Sequence, residues 1–385
     1  MTILIGDIEP HIAINMANMI DDDIVLVTQY YSSYLFYKSN LINKRCEIYF
    51  ISSRNKVSTD EFHNKKNETI KFYHEVSSYK IKDKKLTHAI DSIWFNLNKV
   101  LCDLSLKSII IWNTTSVVNS YINEYAIKNN INRNVLENGF FRPNTITLDY
   151  FGMNIDSGYI KFDSKISRND IFKVNLNVNI AMRCDYLKYR FIEFLLPTPI
   201  NVPFFSIKNK ISDLFIYFKN KKKSPKRFDF DEKYVFLPLQ LLEDSQNIFY
   251  SKYERYIDIV NDAISISKEK VVVKIHPLDR NKIECEKQLR ELVDSKRIFI
   301  TESDTEKLIK FSEYVICVNS TVGLEAINNK KKVYLLGSSI YENVAGVING
   351  SGNKTIEDFK CQTQIEFNLN KFNVTDLERL IGYLK

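Results

Sequence analysis

Four polar clusters follow apolar runs in this sequence, and their residue types suit chemistry at a phosphate. Glu137-Asn138-Gly139 ends the run "RNVLENG", and Glu243-Asp244-Ser245-Gln246 follows "YVFLPLQLL". His276-Pro277 closes "VVVKIHP", and Asn319-Ser320-Thr321 closes "YVICVNST". A carboxylate can attack as a nucleophile or carry a proton for a reacting hydroxyl. An imidazole can hydrogen-bond a departing phosphate, and Lys274 and Arg280 stand near His276. Ser320 and Thr321 precede the helical pattern "LEAINNK", where small hydroxylated residues cap a helix start. They can equally place hydroxyls and backbone N–H groups around a phosphate. Each cluster alone has a structural explanation; four at four strand ends ask for a common one.

The elements that must position them are legible in the periodicity. Apolar, β-branched runs occur at 2–8, 23–30, 46–52, 107–113 and 133–138, and again at 234–240, 271–277, 297–301, 314–320 and 332–337. Helical patterns such as "YERYIDIVNDAISISKE" lie between them. Strands alternating with amphipathic helices predict parallel sheets covered on both faces, with ligands bound beyond the carboxyl ends of the strands. The two series predict an α/β fold of two Rossmann-like domains facing across a cleft, the GT-B architecture. The expected division is a Rossmann-like domain at 1–160, a basic aromatic connection at 161–230, a second Rossmann-like domain at 231–360 and a helical segment at 361–385. The last helix is expected to start from Asn373 or Thr375. On this plan Glu137 stands on one domain and Asp244, His276 and Ser320 on the other. Gly139 and Gly152, two of only ten glycines, are expected to let the backbone turn tightly beside a ligand.

Composition narrows the classes. The 385 residues are 44% hydrophobic and 26% charged, which suits a globular protein of two cores. No apolar window is long enough for a transmembrane helix, and the N-terminus lacks the pattern of a signal peptide. A cytoplasmic location is expected. Six dispersed cysteines without a CxxC pair are expected to be buried free thiols, and they offer no zinc site. The acidic runs at 21–23 and 229–232 are expected to be solvated turns. The net charge of +7 concentrates in residues 204–230, where lysines interleave with aromatic residues. That stretch is either a solvated face or a surface for anionic lipid; no nucleic-acid motif accompanies it.

With those residues in hand, the segments "LENGFFRPNTITLDYFGMN", "LQLLEDSQ", "KIHPLDR" and "VNSTVGLEAI" resemble the capsule polysaccharide β-Kdo transferases, in family order and spacing from about residue 107 to 345. The first hundred residues match poorly, and the family's glycine-rich opening survives only as Gly6. The resemblance implies a retaining transferase that takes Kdo from CMP-Kdo. It places the nucleophile on Asp244 and the acid/base on Glu137. The cytidine phosphate falls to His276 and Ser320 with Thr321, joined by Pro277, Asn319 and Glu325. Gly139, Asn154, Gln240, Gln246 and Lys274 are expected around the sugar. Arg142 is the candidate for its carboxylate, since a guanidinium grips a carboxylate with two hydrogen bonds.

CMP carries one phosphate, so no metal or other cofactor is expected. The resemblance implies a (lyso)phosphatidylglycerol lipid or a Kdo-primed chain as acceptor, on the side of the domain at 1–160, with the CMP-sugar on the domain at 231–360. This suits a peripheral enzyme at the inner face of the inner membrane, with other capsule assembly proteins as expected partners. The competing readings are a CMP-sialic acid sialyltransferase, a polyol-phosphate polymerase of the same fold, and a non-catalytic polysaccharide-binding component of a capsule assembly or export complex.

Overall fold

The computed structural model describes residues 1–54, 61–76, 83–141, 143–161, 174, 179–195, 200, 228–279 and 281–384. The chain divides into two compact units, Met1–Phe205 with Cys361–Lys385, and Ser206–Lys360. Each is built on one sheet. In the first unit, β1 (Thr2–Ile5), β2 (Asp23–Thr28), β3 (Cys46–Phe50), β4 (Leu106–Trp112) and β5 (Asn132–Asn138) are parallel and adjacent in the order β3-β2-β1-β4-β5. Two further strands, β6 (Thr145–Asp149) and, from the end of the chain, β12 (Gln364–Glu366), extend the β5 edge in antiparallel pairings. The sheet is therefore mixed, where a parallel one was expected. The second unit's sheet is wholly parallel. Its strands are β7 (Tyr234–Pro238), β8 (Lys270–Lys274), β9 (Ile298–Ile300), β10 (Val315–Cys317) and β11 (Val333–Leu335), in the order β11-β10-β7-β8-β9.

Alternation within the strands of the first unit divides its core in two. Ile3, Ile5, Ile24, Leu26 and Ile110 face one side, where the helices Pro10–Met19 and Val374–Ile381 pack. Leu4, Val25, Val27, Ile109 and Ile111 face the other, beneath the helix Asp83–Cys102. That helix buries Leu86, Ile90, Ile93, Trp94, Leu97 and Leu101, the spacing of one helical face. The Trp94 indole N–H donates to the Val117 carbonyl at 2.9 Å. Asn373 caps the helix Val374–Ile381 in a reciprocal capping box with Asp376. Leu377, Leu380 and Ile381 seat that helix on the first unit's core.

Two sequence expectations need amendment, those for the cysteines and for the basic aromatic stretch. Cys46, Cys285 and Cys317 are buried, but Cys102, Cys184 and Cys361 are exposed; all six are free. The acids Asp21, Asp22 and Asp23 are solvated, as expected, and gather around the equally exposed guanidinium of Arg45. Of the basic aromatic stretch, residues 204–227 lie outside the described residues, and Phe228 is core. It is buried and packs against Tyr234 and Phe299. No helix among the described residues is long and apolar enough to cross a membrane.

The glycine at the β5–β6 turn has a local reason. The Gly139 N–H donates to the Thr145 carbonyl at 3.0 Å. A Cβ at Gly139 would lie 2.2 Å from that same carbonyl oxygen, so the close approach of the two backbones excludes any side chain. Gly139→Ala is expected to lower stability by about 1–3 kcal/mol through backbone displacement. Thermal unfolding measures this; an unchanged melting temperature would show that the turn relaxes freely.

Candidate active site

In both sheets the chain order reverses beside the first strand. β1 has β2 on one side and β4 on the other; β7 has β8 and β10. At such a switch point the connections leave towards opposite faces and open a crevice beyond the strand ends. The second unit fills this place with the residues singled out above. Leu239-Gln240 leaves β7 and Asn319 leaves β10, and the Gln240 Nε2 donates to the Asn319 Oδ1 at 2.8 Å. The Asn319 Nδ2 donates in turn to the Gln246 carbonyl at 2.8 Å. Gln240 and Asn319 are both buried. The Gln240 Oε1 is buried with no hydrogen-bond partner among the described residues.

Two helices begin at this crevice. Asp244 caps the short helix Ser245–Tyr250, its Oδ1 accepting from the Gln246 N–H at 2.8 Å. Ser320 caps the helix Thr321–Asn328, accepting from the Val322 N–H at 3.3 Å. Both capping explanations are therefore true of this chain. Neither exhausts the residue: Asp244 is exposed and its Oδ2 lies outside the cap. His276, after β8, accepts on Nδ1 from the Leu278 N–H at 3.2 Å. Its proton in the neutral ring is then on Nε2. Burial holds the imidazole below its ordinary value, against the opposing fields of Asp279 and Asp244. Pro277 closes the turn, and buried Asp279 braces it by accepting from Tyr256 and from the Asn281 N–H. The Asn281 amide also donates to Glu243 at 3.1 Å.

Lys274 ends β8. Its ammonium donates to the Thr305 Oγ1 at 2.7 Å, beyond β9, and burial lowers its affinity for the proton. Glu325 sits one turn into its helix and is exposed. Arg142 and Arg280 lie outside the described residues.

Glu137, Gly139 and Asn154 belong to the first unit. Glu137 pairs in register with Thr147 of β6, and Thr147 with Gln364 of β12, so three polar side chains form a row across three strands. Gln364 donates to the Thr147 hydroxyl at 2.9 Å and accepts from the Phe140 N–H at 2.9 Å. It thereby fixes the strand end that carries Glu137. The buried carboxylate of Asp149 gathers the N–H groups of Phe151, Gly152 and Gly158 and the Ser157 hydroxyl. This shapes the turn that holds Asn154, a buried residue at φ +49°.

A crevice at the first unit's switch point escaped the sequence reading. Buried Asn119 ties it together, its Nδ2 donating to the carbonyls of Asp7 and Trp112 and its Oδ1 accepting from the Asp7 N–H. A Cβ at Gly6 would lie 2.6 Å from that Oδ1, so glycine there makes room for the amide. Beside it lies a cavity of about 320 Å³ lined by Asp7, Tyr30, Trp112, Asn113 and Arg190, among others. The signal was present, since "GDIEP", "TQYYSS" and "WNTTS" each follow a strand. Burial pushes the Asp7 carboxyl up to about 7, against hydrogen bonds from Thr28 and Gln29; the field of Glu193 adds to the rise.

The chain belongs to the capsule polysaccharide biosynthesis protein family, whose match covers residues 107–161 and 206–367, more than half of the sequence. It is similar to the capsule polysaccharide export protein KpsS of Escherichia coli, 24% identical over 125 residues, which are 30% of this chain and 32% of that one. It is also similar to the protein FixF of Sinorhizobium fredii, 31% identical over 123 residues, 31% of this chain and 30% of that one. The alignments thus span about a third of each curated relative. Among solved structures, Thermosulfurimonas dismutans KpsC, a β-Kdo 2,7 transferase, aligns over 74% of this chain and 79% of its own, with a TM-score of 0.37 and 16% identity. A UDP-GlcNAc 2-epimerase from Methanocaldococcus jannaschii aligns over 99% and 98%, with a TM-score of 0.30 and 13% identity.

The raised Asp7 carboxyl makes a prediction about pH. The folded chain keeps this proton between about pH 3.8, the ordinary value, and about 7, where the unfolded chain has released it. The resulting stability is fully present below the lower value and is lost as pH rises through the upper one. Relative to Asp7→Asn, the natural chain is expected to lose a few degrees of melting temperature between pH 5 and pH 8. Parallel curves for the two proteins would show that Asp7 titrates as an ordinary carboxyl.

Proposed function

We propose that this protein is a glycosyltransferase of capsule assembly that transfers Kdo from CMP-Kdo, with retention, to a lipid or Kdo-primed acceptor. The observation that carries the reading is the second unit's switch point. There Gln240, whose buried Oε1 has no partner among the described residues, is bonded to Asn319 at the ends of β7 and β10, and Asp244 lies in the field of His276 beyond β8. Membership of the capsule family supports the biological setting. The nucleotide phosphate would take hydrogen bonds from the His276 Nε2–H and from the start of the helix Thr321–Asn328, whose dipole favours an anion. The free Oδ2 of Asp244 would attack the anomeric carbon as the C–O bond to CMP breaks, and CMP leaves with the bonding electrons. A second displacement at the same carbon by the acceptor oxygen would free the aspartate and restore the original configuration, and the family resemblance gives Glu137 the role of taking the acceptor's proton. A single phosphate met by these donors needs no metal ion to leave.

Product analysis by mass, with CMP-Kdo and either acceptor, tests the reading. Asp244→Asn keeps a capping side chain and is expected to abolish transfer while leaving the melting temperature near its natural value, as is Glu137→Gln. His276→Ala is expected to weaken donor use by about 1.5–3 kcal/mol, the value of a hydrogen bond to a charged group. EDTA is expected to leave the rate unchanged. Near-normal turnover of either carboxylate variant would remove that residue's role, and loss of activity restored by one divalent ion would reject the metal-free step.

We assign attachment at the membrane to the lysines of the 204–227 run, whose charge suits anionic headgroups. Changing Lys221, Lys222 and Lys223 to Gln is expected to reduce co-sedimentation with anionic vesicles and transfer to lipid in vesicles, but not transfer to a soluble acceptor. Unchanged co-sedimentation would reject the assignment.

A further inference from the structure

The segment from Met182 to Leu195 has two faces of opposite use. Its helices, Arg183–Arg190 and Ile192–Leu195, are joined through Phe191, whose backbone keeps the helical angles φ −59° and ψ −28°. One face holds the segment to the first unit. Tyr186 and Tyr189 pack edge-on against Phe36 of the helix Tyr31–Asn40, with ring centres 5.4 and 5.6 Å away. The Tyr186 hydroxyl lies 3.1 Å from the hydroxyls of Ser32 and Ser33, and Glu193 accepts from the Ser32 N–H at 2.9 Å. Residues 186, 189 and 193 share one side of a helix.

The opposite side is apolar and in water. Leu187, Phe191 and Leu195 recur at every fourth position, a single helical stripe, and are 55%, 69% and 70% exposed. Single exposed apolar residues are ordinary on a protein surface, whereas a contiguous row of them marks a contact.

What flanks the stripe identifies the contact. At about 3.6 residues per turn, Arg183 and Arg190 fall along one edge and Lys188 along the other, and all three are exposed. The acids nearby do little to balance them. Glu193 is buried on the inner side, Arg183 stands 3.9 Å from Glu9, and Asp185 pairs with Lys188 where both side chains are exposed, which makes a weak pair. Protein–protein interfaces are poor in lysine. An anionic bilayer instead favours cations at its headgroups and apolar side chains beneath them, and long cationic stems reach up from the edges of such a stripe. The sequence that follows, 196–227, adds eight cationic residues and one acid.

We propose that the outer face of this segment inserts into the interface of an anionic bilayer, with Leu187, Phe191 and Leu195 below the headgroups and Arg183, Lys188 and Arg190 among them. The inference rests on the membrane attachment read above and adds insertion to attraction: the lysines draw the protein to the surface, and the stripe holds it there.

Co-sedimentation of the full chain with vesicles of phosphatidylglycerol and phosphatidylcholine measures binding without turnover. Leu187→Ser, Phe191→Ser and Leu195→Ser are each expected to weaken it by about tenfold at an unchanged melting temperature, since these side chains are exposed. Phe191→Trp reports insertion directly. With brominated acyl chains in the vesicles, its added emission is expected to be quenched, the natural chain with buried Trp94 and partly buried Trp112 serving as background. Changing Lys221, Lys222 and Lys223 to Gln is expected to weaken binding but not the quenching of the chain that remains bound. Binding that survives all three serine substitutions, or an indole at 191 that stays unquenched in the bound chain, overturns the proposal. So does a natural chain that binds no vesicles. A fall in oligomeric state in the serine variants, at unchanged vesicle binding, assigns the face to a second copy and equally overturns it. Quenching with no effect of the lysine substitutions would reject the role given to the lysines and leave insertion standing, as would quenching without transfer from CMP-Kdo for the donor reading.

Discussion

The structure depends on how two neighbouring parallel strands are held together where they part. At each switch point the chain leaves the paired strands in opposite directions, and backbone groups near their ends lose ladder partners. Buried polar groups without partners cost on the order of 1–3 kcal/mol each. Both units meet this cost with a buried amide side chain. Asn119 bonds the backbones that leave β1 and β4. Asn319 receives Gln240 from the end of β7 and gives to backbone carbonyls at Gln246 and Ser338. An amide suits the task because it donates and accepts at once without carrying charge into the interior. It also leaves the crevice open, since it holds the strand ends from within.

Fold and function use the same residues for this reason. A helix that starts at a crevice needs a cap, and a capping oxygen is by construction at the crevice. Asp244 and Ser320 each spend one hydrogen bond on their own helix, which fixes the side chain before any ligand arrives. The His276 ring is likewise held by a backbone N–H on Nδ1, and that bond selects the proton on the other nitrogen. Structural and chemical accounts of these residues are not rivals. The first supplies the preorganisation that the second requires.

This overlap explains what the sequence could reveal. The ten parallel strands read as apolar runs, most of them because parallel strands covered on both faces are apolar throughout. The polar clusters of the second unit were legible because they are contiguous and end those runs. β6 was not, for its Thr147 and Asp149 are polar yet buried, and only the pairing with β5 and the demands of the next turn account for that. β12 contributes one buried apolar residue, Ile365, and its partner lies more than two hundred residues earlier in the chain. Gln364, which steadies the end of β5, therefore gives no local signal.

The first unit's crevice was harder still, because Asp7, Tyr30, Asn113 and Arg190 are scattered over nearly two hundred residues. Three carboxyls, Asp7, Glu9 and Glu193, line its cavity. Glu193 accepts from a backbone N–H, while burial lets Asp7 keep its proton to about pH 7. A carboxyl near half-protonation can accept a hydrogen bond on one oxygen and give one from the other. The desolvation that raises Asp7 thus costs the fold stability as pH climbs towards neutrality.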